Sequence, residues 1–340
     1  MNIKDLSFQQ LQSQLTQMGQ PQYRAVQVAK WLYQKGAVSF DEMSDLSLEL
    51  RQKLKEAFTI SWPKILKKQV SKEDGTVKYL FGLSDEQTVE SVLIPSQNRF
   101  TICVSTQVGC KLRCKFCASG VAGFKRQLTP GEIVDQILAA RQNQPHRRIT
   151  HVVFMGMGEP MDNYENVLAS VRLINSSAGL DIGARKITLS TSGVIPGIGK
   201  LAKEGIQVEL SVSLHAGNSE VRNRLMPINR KYPIEQLISA CRDYIQRTNR
   251  QITFEYTLIA GVNDRGEDAN DLAKLLRRMK CQVNLIPLNP IREFPYHPPT
   301  VEAAKQFRKR LQSLGVDATI RRTMGRDIDG ACGQLRLKNE

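Results

Sequence analysis

The sequence predicts an α/β chain, a parallel sheet with helices outside it, preceded by a small helical domain and a β-hairpin extension. Three observations carry this. From residue 99 onward, strand-like runs alternate with helix-like runs, as they do where crossover helices connect parallel strands. Before residue 60, apolar residues recur at helical spacing. Between the two, the period shortens to two around Asp74-Gly75, a strong hairpin signal. At 340 residues, with 41% hydrophobic and 24% charged, the chain has room for one large domain and a small one, and it is too apolar to be disordered.

The elements follow in order. In residues 1–60, Leu11, Leu15 and Met18 fit one helix, and Val26, Val28, Ala29 and Leu32 fit a second that Gly36 can stop. Ser47 is placed to cap a third carrying Leu50, Leu54 and Phe58. Residues 61–98 form the extension: strands at 67–71 and 76–83 flank the turn, and a strand at 88–94 ends at Pro95. Residues 99–340 form the main domain, with strands expected at 100–105, 151–155, 186–191, 207–214, 251–258 and 282–287. Helices are expected at 129–141, 164–176, 198–204, 233–247, 267–279 and 300–314. The first of these has a capping box in Thr129 and Glu132, with Pro130 at its first position. A short strand at 316–321 leads into a Gly-rich C-terminal loop. A doubly wound sheet and a partial barrel both fit this alternation. No apolar run approaches the roughly 18 residues of a membrane helix, and the polar start, MNIKDLSFQQ, has no secretory core, so a cytoplasmic protein is expected.

Lys plus Arg is 48 against 33 for Asp plus Glu, a net charge of +15. A solvated basic surface is the plain explanation; a polyanionic partner, nucleic acid above all, is the sharper one. The basic residues are dispersed, in groups such as Lys64, Lys67 and Lys68; Arg147 and Arg148; Arg222 and Arg224; and Arg321, Arg322 and Arg326. That suits a folded enzyme on a large RNA better than a disordered basic arm.

There are seven cysteines, an odd number in a chain without a visible signal segment, which argues against a disulfide scaffold. Cys103, Cys110, Cys114 and Cys117 crowd together, the last three in GCKLRCKFCASG with C-x3-C-x2-C spacing and Phe116 before the third. Three thiolates can hold three irons of a [4Fe-4S] cluster and leave the fourth open to a chelating substrate. A closed cluster or a structural zinc site wants a fourth ligand, for which Cys103 is the candidate. Cys241 and Cys281, in a helical and a strand pattern, read as structural. Taken alone, Glu90 reads as a solvated strand residue, His215 as a satisfied polar one, and Gly156 with Gly158 as weak evidence for a nucleotide loop. His146, His151 and His297 attract no role.

The cysteine spacing after the first strand of the alternating region resembles the radical S-adenosylmethionine (SAM) superfamily. FMGMGEPMDN, TLSTSGVIPGI, SLHA, LMPINRKYP, LIPLNP and DIDGACGQL resemble, in order and spacing, the bacterial adenine-C2 methyltransferases that act on 23S rRNA and tRNA. The resemblance spans nearly the whole chain. It implies a radical SAM partial (β/α)6 barrel with a helical N-terminal RNA-binding domain. It also implies a [4Fe-4S] cluster on Cys110, Cys114 and Cys117, and SAM contacts from Gly158, Glu159, Ser190, Ser213, Leu214, His215 and Asn289. Cys332 matches the cysteine that is itself methylated, Cys103 the cysteine that pairs transiently with it, and Glu90 the proton acceptor. The implied substrates are an adenine of the 23S rRNA peptidyl-transferase centre and the adenine 3′ to the anticodon of certain tRNAs. An electron donor such as flavodoxin and a monomeric state complete the expectation.

The chemistry is consistent with those roles. C2 of adenine lies between two ring nitrogens and is electron-poor, so it does not attack the electrophilic methyl of SAM. In the implied route Cys332 takes a methyl from one SAM, a second SAM is split reductively, and the resulting 5′-deoxyadenosyl radical removes hydrogen from that methyl. The carbon radical adds to C2, the C2 proton is lost, and Cys103 attacks the Cys332 sulfur to free the base. Arg321, Arg322 and Arg326 are candidates for favouring the Cys332 thiolate. A relative that methylates C8 has Ala where Pro160 follows Glu159 here. A radical SAM enzyme with a small substrate fits the charge and the extra helical domain less well. A non-enzymatic zinc or iron–sulfur RNA-binding protein is the third class.

Overall fold

The computed structural model describes all residues except 122, 146, 292, 331–334 and 336–340. The N-terminal helices are α1 (Phe8–Gln17), α2 (Tyr23–Ala29) and α3 (Leu48–Ala57). Ser7 and Gln10 form a capping box on α1, and Ser47 Oγ accepts from Leu50 N–H at the start of α3. Helix α2 runs into a π-helical turn, Lys30–Lys35, stopped by Gly36 at φ +72°, a left-handed conformation that glycine adopts without strain.

Strands β1 (Lys64–Val70), β2 (Val77–Gly82), β3 (Thr88–Ser96) and β4 (Arg99–Cys103) form an antiparallel meander. Pro95 does not end β3: it pairs with Phe100, and the strand runs to Ser96. Next to the turn, a proline forfeits one ladder donor without breaking the pairing. A short hairpin follows, β5 (Gln107–Gly109) with β6 (Phe124–Gln127), enclosing the cysteine loop and α4 (Ala118–Val121). The alternating part is α5 (Pro130–Gln142), β7 (His151–Phe154), α6 (Tyr164–Asn175), β8 (Ile187–Thr191), α7 (Ile195–Leu201), β9 (Glu209–Ser213), α8 (Ser219–Leu225), α9 (Ile234–Thr248), β10 (Ile252–Leu258), α10 (Gly266–Leu276), β11 (Cys281–Pro287), α11 (Val301–Ser313) and β12 (Ala318–Ile320). Thr129 and Glu132 form the expected capping box on α5.

The strand order decides between the two architectures left open by periodicity. The ten-stranded sheet runs β1-β2-β3-β4-β7-β8-β9-β10-β11-β12, parallel from β4 onward. A doubly wound sheet reverses its order at a switch point; here each parallel strand follows its predecessor in the same direction. Right-handed crossovers then leave the connecting helices on the outer face and the C-terminal ends of β4 and β7–β12 on one rim, a partial barrel. No helix among the described residues is long and apolar enough to cross a membrane.

One hydrophobic core extends from Ile3, Leu11 and Leu32 through Ile133, Val152 and Phe254 to Leu311. The N-terminal helices therefore share the barrel's core. A buried ion pair reinforces the junction: Lys4 Nζ meets the Asp135 carboxylate on α5, and Ser61 Oγ donates 2.8 Å to the same carboxylate. Burial pushes Asp135 up to about 6 and lowers Lys4. Lys4→Met leaves the carboxylate buried without its cation, an expected loss of about 3–5 kcal/mol. The unfolded chain ionises this carboxyl more easily than the folded one, so the loss grows as pH rises through the carboxyl range. Urea unfolding of both proteins at several pH values checks size and sign.

Candidate active site at the C-terminal rim of the sheet

The loops leaving the C-terminal ends of the parallel strands converge on two adjoining cavities. The smaller, about 220 Å³, is lined by Cys110, Cys114 and Cys117 from the loop after β4, Gly158 and Glu159 after β7, Ser190 on β8, and Ser213 and His215 at the end of β9. Two glycines let the β7 loop close on the β4 loop. A Cβ on Gly156 would stand 2.6 Å from the Val104 carbonyl, and one on Gly158, at φ +103°, 2.6 Å from Gln107 Cβ.

The three thiols are held among apolar atoms and one another. Burial pushes Cys110 up to about 12 and Cys114 well above the ordinary thiol range, and their mutual repulsion adds to it. Three thiolates are stable here when a cationic group lies among them, which is the requirement of an iron–sulfur centre. Among the described residues no three His, Cys, Asp or Glu side chains converge as ligands of a single metal ion; a cube of irons takes its thiolates at separate corners. The donor set fits a cluster.

Glu159 is buried. One carboxylate oxygen accepts from Met161 N–H at 3.0 Å and the other from Ser192 N–H at 2.7 Å. Burial raises its pKa against these bonds. Pro160 opens the 3-10 turn that delivers the Met161 amide. His215, at φ +57°, accepts from Thr257 N–H on Nδ1 at 2.9 Å, so Nε2 carries the ring proton. Phe116 meets the ring edge-on at 4.8 Å between centroids. Burial, then the nearby Arg222 charge, lowers His215 to about 3 and keeps it neutral. Its depressed pKa makes a stabilising contribution that is fully present above about pH 6.5 and is lost as pH falls toward the folded value. His215→Gln should flatten the fall in urea midpoint between about pH 6.5 and 4.

The larger cavity, about 620 Å³, is lined by Cys103, Asn289, Val92, Arg321, Arg322 and Arg326, among others. The two cavities share Met155, Ile286 and Arg321. Cys103 thus lies on a different wall from the cysteine triplet, which removes it as a fourth ligand of a four-cysteine site. Burial raises its thiol to about 11, while Arg321 and Lys78 pull it down. Asn289 also faces this second cavity rather than the one holding Ser190, Ser213 and His215.

Glu90 is not a solvated strand residue. It is 2% exposed and ion-paired with the fully buried Lys78 at 2.8 Å. It shares one face of β3 with Val92 and Ile94, which line the larger cavity, and Val92 sits opposite Cys103 in the ladder; Glu90 itself lines neither cavity. Leu214 is buried in the core and lines neither cavity; its carbonyl accepts from Arg222 Nε at 3.2 Å. Cys332 lies outside the described residues. Arg222, grouped by sequence with surface arginines, is fully buried.

One cavity residue escaped the sequence. Glu255 on β10 lines the smaller cavity and accepts from Ser211 Oγ and Asn284 Nδ2, both at 2.8 Å. Burial raises its pKa. The available signal was an ionisable residue inside the strand run ITFEYTL; its register partners in the sheet are Ser213 and Asn284.

Residues 104–276 match the radical SAM superfamily, and residues 1–60 match the ribosomal RNA large subunit methyltransferase N-terminal domain. A protein of Pelotomaculum thermopropionicum, named probable dual-specificity RNA methyltransferase RlmN, is 51% identical over 99% of this chain and 92% of its own length. One of the same name from Staphylococcus aureus (bovine strain) is 48% identical over 99% of this chain and 93% of its own. The crystal structure of a radical SAM methyltransferase from Sphaerobacter thermophilus superposes with a TM-score of 0.93 at 45% identity, covering 98% of both chains. With these matches in register over nearly its full length, the chain belongs to the dual-specificity RNA methyltransferase family of the radical SAM superfamily.

Proposed function

We propose that this protein methylates C2 of adenine in RNA, at the peptidyl-transferase centre of 23S rRNA and 3′ to the anticodon of certain tRNAs, using two SAM molecules per turnover. The observation that carries the proposal is the pair of adjoining cavities: a trithiol site beside a buried carboxylate, and an arginine-rimmed chamber holding a second kind of cysteine. Cys110, Cys114 and Cys117 hold a [4Fe-4S] cluster, which when bound offers SAM an open iron and the electron for its cleavage. Glu159 receives the amino group of SAM on the carboxylate that Met161 and Ser192 orient. Gly158, Ser190, Ser213 and His215 complete that wall, Leu214 holds Ser213 and His215 in place through its backbone bonds to Glu255 and Arg222, and Asn289 reaches the ligand from the second cavity.

The adenine enters the larger cavity, where Arg321, Arg322 and Arg326 suit the adjoining phosphates. Cys332 carries the methyl. Glu90, held by Lys78, takes the C2 proton. The adduct gives up one electron, the equivalent of the one spent on SAM cleavage, and the Cys103 thiolate attacks the Cys332 sulfur: an S–S bond forms as the bond from that sulfur to the methylene carbon breaks, and the freed carbon takes a proton. Pro160 favours C2 over C8, and a flavodoxin-type donor supplies electrons to a cytoplasmic monomer.

Anaerobic turnover of rRNA and tRNA fragments, followed by mass spectrometry of the nucleosides, tests this. 2-Methyladenosine is expected; 8-methyladenosine, or no methylated adenine from protein with a full cluster, contradicts it. RNA affinity should fall with salt at about −0.7 in log–log slope per phosphate contacted on single strands.

A further inference from the structure

Arg222 heads the fully buried side chains by volume. Its guanidinium donates to Leu214 O at 3.2 Å, Asn229 Oδ1 at 2.8 Å and Ser192 O at 2.7 Å, with a longer contact to Ser213 O at 3.4 Å. Every acceptor is neutral. Among the described residues no carboxylate pairs with it, and the acidic groups that bear on it are the thiols of Cys114 and Cys241. A buried cation without an anion is costly.

Of the elements around it, the cysteine loop packs directly against its helix. Helix α8, which carries Arg222, lies against that loop: Lys115 N–H donates to Leu225 O at 2.8 Å, and Leu112, Cys114 and Phe116 pack against Leu225 and its neighbours. Gly193, at φ +104°, leaves room for the guanidinium, since a Cβ there would stand 3.1 Å from Nη2.

We propose that Arg222 is a positioning residue that offsets the negative charge of the cluster centre and raises the potential at which it accepts an electron, while clasping the loops after β8 and β9 around SAM. The inference rests on the cluster assignment above. The three thiolates make the centre anionic, and one-electron reduction adds a further negative charge. A fixed cation beside it, in a medium of low dielectric, favours the reduced state.

Asn229→Asp tests this with a near-isosteric change, placing a carboxylate where a neutral oxygen now accepts from Nη1. The reconstituted holoprotein is titrated anaerobically with dithionite and followed by electron paramagnetic resonance. The expected result is a full cluster with a lower midpoint: about tenfold less reduced centre at fixed potential, equivalent to about 59 mV for one electron. Arg222→Lys keeps the charge and should hold the midpoint closer to the native value than Arg222→Gln does. A full cluster with an unchanged midpoint in Asn229→Asp, or equal falls in the two Arg222 variants, overturns the role. A native protein that holds no iron contradicts the cluster assignment instead, so the two failures are distinguishable. If one variant does not fold, the other comparison decides.

Discussion

Cys114→Ala is expected to lose the iron–sulfur absorbance and to drop methylation to background. Cys114 lines the cavity with Cys110 and Cys117, and its loop is tied at Lys115 to Leu225 and packed on the patch around Met226. Among the described residues no other cysteine lines that cavity: Cys103 lines the neighbouring one, Cys241 is buried within α9, and Cys281 begins β11. With one of the three proposed protein ligands gone, the cage is incomplete. Cys241→Ala is the matched control. It removes a buried thiol of similar size at a stability cost of roughly 1 kcal/mol and should keep a full complement of iron and sulfide. Iron and sulfide analysis after anaerobic reconstitution checks both. A Cys114→Ala protein with a full cluster would sink the ligand assignment.

Cys103→Ala is expected to keep its iron and stop turning over, while protein–RNA adduct accumulates. The cluster survives because Cys103 stands on the far cavity wall. Release fails because no second sulfur can attack Cys332. The native Cys103 thiol, held at about 11 by burial, is mostly protonated at neutral pH; Arg321 and Lys78 are the charges that favour its thiolate. Denaturing electrophoresis of labelled RNA should show a slow, protease-sensitive band, absent from the Cys103→Ala, Cys332→Ala double variant. Normal turnover would make Cys103 a buried strand cysteine and nothing more.

Local signals made much of the fold legible. The capping box at Thr129 and Glu132, the stop at Gly36 and the turn at Asp74-Gly75 are set by groups within a few residues of one another. The order of the parallel strands is not local: it depends on pairings such as Thr101 with His151, and so periodicity left two architectures standing. Helix α8 and strand β5 are too short to establish a period. The same limit applies to charge. Lys78 with Glu90, and Lys4 with Asp135, are buried because each meets a partner from another strand or helix, and Arg222 because loops from two strands supply its acceptors. In sequence each looks like any solvated charge. Of the motif residues, Cys110, Cys114, Cys117, Gly158, Glu159, Ser190, Ser213 and His215 line one cavity and Cys103 and Asn289 the other, a division set by pairings distant in sequence.

The fate of the methyl hydrogens tests the central claim most directly. Anaerobic turnover is run with SAM bearing a fully deuterated methyl, an RNA fragment and a one-electron donor, and the nucleosides are then analysed by mass spectrometry. A methyl that is parked on Cys332, gives up one hydrogen before joining C2 and regains one afterwards arrives with two deuteriums. An intact trideuterated methyl on the base would mean direct transfer from SAM and would contradict a route through Cys332 and Cys103.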